Sequence, residues 1–253
     1  MNTQAPQFSA QLAQNDADLQ AAQRLRYDVF VRELGGGGDE VDHENGLEKD
    51  RFDPFFDHLL LRDESRGGAV IGVYRLLPGT RAEAAGGFYS EAEYDLEPLR
   101  RSGRKLLELG RSCLHPEYRG GSAMFYLWQA LARYVAEREI EILFGVASFH
   151  GTDVAALAHP LSHLHYRHSA PEELRVRARD YQPMALLAEP DVDRKRAMIE
   201  TPSLIKAYLR LGGLVGDGAY VDHAFNTTDV CLVIDTARMN ERQKSLYTKD
   251  VPA

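Results

Sequence analysis

Apolar side chains recur at helical spacing at Leu19, Ala22, Val29 and Phe30, which predicts a helix over 18–34. Four glycines, Gly35 to Gly38, stop it, and an acidic loop follows. Two apolar runs, 58–62 and 69–77, flank the polar connection DESRGG and read as paired strands. The run 105–114 reads as a third strand. Over 122–137 the period returns to about 3.6, with Met124, Leu127, Trp128, Leu131 and Val135 as the expected buried face. A further strand is expected at 141–149, with Thr152-Asp153 capping the next helix. A short helix at 202–211 ends at Gly212-Gly213, and 221–235 is extended. Helix, strands, then strand–helix–strand–helix predicts a mixed α/β sheet.

Composition narrows the class. The chain has 253 residues, 44% apolar and 27% charged, which excludes a disordered or fibrous protein. Its formal net charge of −8 argues against a dedicated nucleic-acid binder. Most of that charge sits between Asp39 and Asp57, where eight carboxylates meet two bases. Two cysteines, Cys113 and Cys231, make no disulfide scaffold and suggest a reducing compartment. No basic region leads into an apolar run at the start, and no apolar stretch approaches the ~20 residues of a membrane helix. A soluble cytoplasmic protein, one domain over 1–253, is expected.

Several charges stand where charge is costly. Arg26 falls between Ala22, Val29 and Phe30 on the helix's apolar face, and its burial costs several kcal/mol unless a partner meets it. Glu48, Asp50 and Asp53 are the candidate partners. Arg75 interrupts the strand GVYRLLPG, and Glu108 and Arg111 interrupt LLELGRSCL. Gly110 between those two marks a bulge that would bring both to one side. Either these groups line a polar cleft, or they are surface charges and a structural ion pair. The turn HPEYRGGSA precedes the helix at 122, where backbone N–H groups suit a phosphate and Ser122 can cap.

The strand–YRGGSA–helix unit resembles the acyl-CoA pyrophosphate loop of the GNAT acyltransferase superfamily, Gln/Arg-x-x-Gly-x-Gly/Ala. Gly121 and Ala123 fit its last positions, but Tyr118 stands where Gln or Arg is expected and Arg119 is displaced by one. Arg26, Phe30, the stretch Glu48 to Asp53, Arg75, Glu108 and Arg111 resemble the signature of acyl-homoserine lactone synthases. Over most of the chain, LELGRSCLHPEYRGG, LFGVASFHGTD and PSLIKAYLRLGGLVGDGAYVDHAFNTTDV are similar to the bacterial L-ornithine Nα-acyltransferases. That resemblance implies a GNAT-like fold: a mixed, mostly antiparallel sheet flanked by helices, with a family-specific C-terminal extension at about 200–236. It implies transfer of a 3-hydroxyacyl chain from acyl carrier protein to the α-amine of ornithine, giving lyso-ornithine lipid.

That chemistry gives the candidates their roles. Glu108 is the expected base, alone or through a water, or simply a partner for Arg111. Backbone N–H groups at the Gly110 bulge could hold the thioester oxygen. Arg26 or Arg75 would bind the ornithine carboxylate, and Asp50 or Asp53 its δ-ammonium. Asp222, Asn226 and Asp229 belong to the same site or to a turn. Arg119, Gly120, Gly121 and Ser122 would receive the phosphopantetheine. Arg100, Arg101, Arg104 and Lys105 form the densest basic run, either a dock for an acidic carrier protein or a solvated turn. No metal, no bound cofactor and no nucleic acid are expected, and the lipidic product implies peripheral contact with the inner membrane. Cys113 with His115 offers an acyl-enzyme alternative, and His159, His163, His165 and His168 resemble a metal cluster; packing is the preferred reading of the first, and the absence of Cys and the scattered carboxylates argue against the second. An acyl-homoserine lactone or other N-acyl amino acid synthase, and a silent carrier-binding module, are the alternative functions.

Overall fold

The computed structural model describes residues 5–38, 41–241 and 243. β1 (Phe8–Leu12) leads to α1 (Asp16–Arg26), then β2 (Asp57–Asp63), β3 (Ala69–Pro78) and the single turn α2 (Gly79–Ala82). β4 (Tyr94–Asp95) and α3 (Glu97–Arg101) precede β5 (Leu106–Leu114), α4 (Ala123–Glu137) and β6 (Ile142–His150). After α5 (Ala158–His168) come β7 (Arg177–Ala178), α6 (Arg194–Glu200), α7 (Ser203–Arg210), β8 (Leu214–Val215), β9 (Tyr220–Asp222) and β10 (Thr227–Asp235). The chain's contacts fall into two compact units, a finer division than the single span expected. One comprises residues up to 85 and 109–139, the other 86–108 and 140 onward.

In the first unit β2 pairs antiparallel with β1 and β3. The strand β1, FSAQL, was not foreseen, because its polar positions break the apolar signal. α1 starts two residues before the expected helix, where the Asn15 side chain accepts from the Asp18 N–H at 3.0 Å. It buries Ala22 and Leu25 against Leu60, Val73 and Cys113. The expected helix to residue 34 continues past Arg26 as a π-helical segment, Tyr27–Glu33, not an α-helix. Leu34 N–H reaches back five residues to Val29 C=O at 3.1 Å. Gly35, at φ +72°, ends it as the glycine run predicts. In α4 the buried side is Ala123, Leu127, Leu131, Ala132 and Tyr134, whereas Met124, Trp128 and Val135 are only half-buried. The face is rotated from the expected one because Tyr134 turns inward to donate to the Asp57 carboxylate at 2.7 Å.

In the second unit the start of β5 runs parallel to β6, registered from Leu106–Ile142 to Glu108–Phe144. β6 is antiparallel to β10 along its whole length, and β10 pairs in turn with β8 and β9. Helices flank these strands, giving the mixed, mostly antiparallel α/β arrangement expected. Asp153 caps a turn rather than α5 itself, which begins at Ala158. The extended segment at 221–235 is the β9–β10 hairpin, closed by Asn226 at φ +52°. Among the described residues no helix is long and apolar enough to cross a membrane.

Close backbone approaches fix this unit. A Cβ at Gly216 would lie 2.6 Å from Val176 Cγ2 and 2.8 Å from its carbonyl oxygen. Gly216→Ala should therefore cost about 1–3 kcal/mol in urea unfolding. Gly121→Ala, whose nearest neighbour would be 3.9 Å away, should stay within about 0.5 kcal/mol of the parent.

Candidate functional site

The expected convergence of charge occurs within the first unit. Arg26 is fully buried, its Nε donating to Glu48 at 2.5 Å and its two terminal nitrogens to the Asp53 carboxylate at 2.8 and 2.9 Å. A further bond at 2.6 Å reaches the Glu48 carbonyl. Arg75, also fully buried, donates to Asp50 at 2.7 Å and Asp53 at 3.0 Å and lies over the Phe56 ring. Arg111 reaches Glu48 at 3.0 Å and Asp50 at 3.7 Å. Three guanidiniums thus interleave with three carboxylates, and Gln23 donates to Asp53 at 2.8 Å. Phe30, next along the helix, is half-buried beside this core.

Electrostatics follow from that interleaving. Burial pushes the Glu48 carboxyl up, but Arg111, Arg26 and Arg75 more than reverse it and leave it below its ordinary range. Asp53 behaves likewise under Arg26 and Arg75. Burial and the neighbouring arginines keep His58 below the ordinary imidazole value, despite its bond to the Asp53 carbonyl. The site edge is where Arg111 takes a positive φ of 49°, beside Gly110, so the strand is irregular where a bulge was expected. Arg26 has Nε and both terminal nitrogens on Glu48 and Asp53, and Arg75 has Nη1 on Asp50 and Asp53, so these donors, expected to receive a substrate carboxylate, are engaged within the protein.

Glu108 belongs to the second unit. Its carboxylate accepts from the N–H groups of Tyr89 and Ser90 at 2.8 and 2.6 Å and from the Ser90 hydroxyl at 2.6 Å. Asp229, buried on β10, and Asp222, half-buried on β9, share a cluster with Glu93. One oxygen from each lies within 4.8 Å of the others, and this all-oxygen set suits a hard cation or an ammonium. Tyr94 braces it, its hydroxyl donating to the carbonyls of Gly218 at 3.1 Å and Asp229 at 2.9 Å. Asp222 also accepts from the Ala224 and Phe225 N–H groups, so turn and cluster coincide there, whereas Asn226 stands in the turn with its carbonyl accepting from the Gly151 N–H at 2.8 Å.

The remaining candidates are placed as follows. Arg119 forms a two-pronged pair with Glu33 at 2.5 and 2.7 Å, Gly120 has φ +78°, and Ser122 stands at the α4 N-cap without a side-chain capping bond. Its hydroxyl is therefore not the cap expected. Arg104 is tied to Asp235 at 2.5 Å, and Arg100 to Glu91 at 2.6 Å. Arg101, 3.7 Å from Glu97, is largely exposed, and Lys105, exposed, immediately precedes β5. Burial pushes the Cys113 thiol up to about 12, which removes the thiolate that an acyl-enzyme needs. The four histidines of 159–168 do not gather: His159 accepts from the Asp193 N–H, while the rings of His163 and His168 meet edge-on at 5.5 Å. Sequence reasoning passed over Glu93, Tyr94 and Ser90. Nothing local marks them, since Glu93 meets Asp229 across 136 residues of chain.

The family description "Acetyltransferase (GNAT) domain" matches residues 25–129. The chain is 58% identical over 248 residues to the L-ornithine N(alpha)-acyltransferase of Rhodobacter capsulatus, covering 96% of both. It is 42% identical to the protein of that name from Brucella abortus, covering 95% of this chain and 88% of that one. Among solved structures, FeeM, an N-acyl amino acid synthase from uncultured soil microbes, superposes with a TM-score of 0.55 at 13% identity, covering 92% and 93%. The acyl-homoserine lactone synthase LasI does so at 0.51 and 18%, covering 98% of each. At these identities the two structures share the fold.

Two outcomes follow from the buried charges. Carboxyls held below their ordinary range bind fewer protons folded than unfolded. Their stabilisation is fully present above the unfolded value of about 4 and is lost progressively below it, as pH falls toward and through the lowered folded values. Urea-measured stability should fall on acidification from about pH 5 to 3. Glu48→Gln should cost about 3–5 kcal/mol at neutral pH and flatten that slope. Cys113 and Cys231, both buried, should resist a thiol reagent at neutral pH until the protein is unfolded, as stopped reactions with a chromogenic disulfide would show.

Proposed function

The chain belongs to the L-ornithine N(alpha)-acyltransferase family, and from that premise we propose that it acylates the α-amine of L-ornithine with a 3-hydroxyacyl chain carried by acyl carrier protein. The product is then lyso-ornithine lipid. The acceptor assignment is carried by the cluster of Glu93, Asp222 and Asp229, three carboxylates converging in the second unit. Like charges this close favour a cation among them, and ornithine's δ-ammonium is that cation. Held there, the δ-nitrogen stays protonated and unreactive, while the α-amine, its proton lost to solvent, attacks. The C–N bond forms as the C–S bond breaks, and the departing thiolate takes the amine's proton. No cofactor is needed beyond the phosphopantetheine that the donor brings.

Donor placement draws on the first unit. The α4 N-terminus, with no acidic residue in its first turn, presents backbone N–H groups after Gly120-Gly121 to the single phosphodiester of phosphopantetheine. Glu108 acts as a positioning residue, ordering the Tyr89–Ser90 turn that leads to Glu93. Exposed Arg101, with Arg100 and Lys105, is the surface for the acidic carrier protein, with Arg104 as its brace. Release of an acylated product fits loose attachment at the inner membrane surface.

Purified enzyme with 3-hydroxyacyl carrier protein should release thiol with ornithine and form the amide seen by mass spectrometry; no amide with any carrier-bound chain would overturn the reading. Asp229→Asn should lower kcat/KM for ornithine by about 10–100-fold, the loss of one charge-assisted contact. The same variant should leave the slow reaction with norvaline, which lacks the δ-amine, nearly unchanged. An equal loss with both acceptors would remove the cluster from ammonium recognition.

A further inference from the structure

A cavity in the second unit takes no part in the chemistry above. It lies between α5 and the segment entering α6, has a volume of about 420 Å³, and its walls include His163, Tyr166, Arg167, His168, Glu189 and Arg194. Its frame is tied down. The Ser162 hydroxyl accepts from the N–H groups of Leu186 and Leu187 at 3.0 Å each and donates to the Met184 carbonyl at 3.1 Å. The Tyr166 hydroxyl donates to the Leu187 carbonyl at 3.1 Å, and His159 receives the Asp193 N–H at 3.2 Å. The segment 186–193 is thus laced to α5 at both ends, so the cavity is part of the fold.

The charge inside is lopsided. Two arginines and two histidines face a single carboxylate, Glu189, and that carboxylate is engaged by Arg167 at 2.9 Å. Among the described residues Arg194 makes no ion pair. Burial first, then Arg194 and Arg167, hold the His163 imidazole below its ordinary value. His168 is lowered by burial, by His163 and by Arg194. Both rings are thus biased toward the neutral imidazole, whose one ring N–H is a donor, in a site already positive.

We infer that this cavity binds a phosphate-ester anion, with Arg194 and Arg167 supplying charge and His163 and His168 supplying ring N–H donors. Donors converging from two helices suit a tetrahedral anion, whose oxygens point in several directions, better than a planar carboxylate. The ligand is a free phosphate compound or the phosphodiester of an anionic lipid headgroup. The headgroup source draws support from Ile199, which stands 69% exposed on α6, one turn from the exposed Lys195.

The test uses the full chain with isotopically labelled histidine. Inorganic phosphate titrated at fixed pH and ionic strength should shift the imidazole signals of His163 and His168, with a Kd on the order of 1–10 mM. Arg194→Gln, an exposed and unpaired position, should retain the folded spectrum and weaken binding about tenfold. Cosedimentation with phosphatidylglycerol vesicles against phosphatidylcholine vesicles separates the sources. Pelleting only with the anionic vesicles, reduced in Arg194→Gln, identifies a lipid headgroup; phosphate shifts without pelleting identify a soluble phosphate compound. The inference is overturned if phosphate moves neither histidine and Arg194→Gln leaves vesicle binding unaltered, or if the shifts persist unweakened in that variant.

Discussion

Burial of Arg26 is the constraint on which the first unit depends. A guanidinium at zero exposure must have its charge and its N–H groups answered, or the chain cannot close around it. Meeting that requirement draws the acidic stretch of 48–53 against α1. Arg75 and Arg111 then bring β3 and β5 to the same carboxylates. One desolvated side chain therefore ties a helix, a loop and two strands in a fixed arrangement, and the loop that looked like solvated charge becomes interior structure. Removing a single partner leaves the others uncompensated.

The second unit treats the same kinds of side chain in the opposite manner. Glu93, Asp222 and Asp229 bring one oxygen each within 4.8 Å of the others. An array of alternating charge is self-sufficient, whereas convergent carboxylate oxygens are the donor set that a hard cation or an ammonium takes. The same logic applies to the cavity beside α5, where positive groups outnumber negative ones.

The charge network was legible in the sequence because it breaks local rules: an arginine on an apolar helical face and another inside an apolar strand require partners, and Glu48, Asp50 and Asp53 lie close by in the chain. The strands and α4 were legible from periodicity, although Tyr134 shifted the buried face of α4 toward Asp57. What escaped had no local signature. Glu93 meets its partners only after the β9–β10 hairpin folds back, and the short strand β1 owes its existence to the edge of β2. The histidine spacing at 159–168 suggested a metal set, but on a helix the four rings diverge, and only His163 and His168 come near each other. Glu108 was recognised as costly, yet its partners include the backbone N–H groups and the hydroxyl of the Tyr89–Ser90 turn, which no spacing rule reveals.

The π-helical segment Tyr27–Glu33 carries a lesson about indel tolerance. It is a seven-residue stretch of wide turns spliced onto an α-helix, held where the Tyr27 hydroxyl meets His43 Nδ1 at 3.0 Å. Each residue of an ordinary helix advances the azimuth by about 100°. Losing one residue here would let the stretch relapse into α-helical winding and swing Phe30 away from its present bearing while Arg26 stayed put. Length variation among homologous chains should therefore avoid this stretch and collect in the glycine run behind it, where added or missing residues leave the phase of the helix untouched.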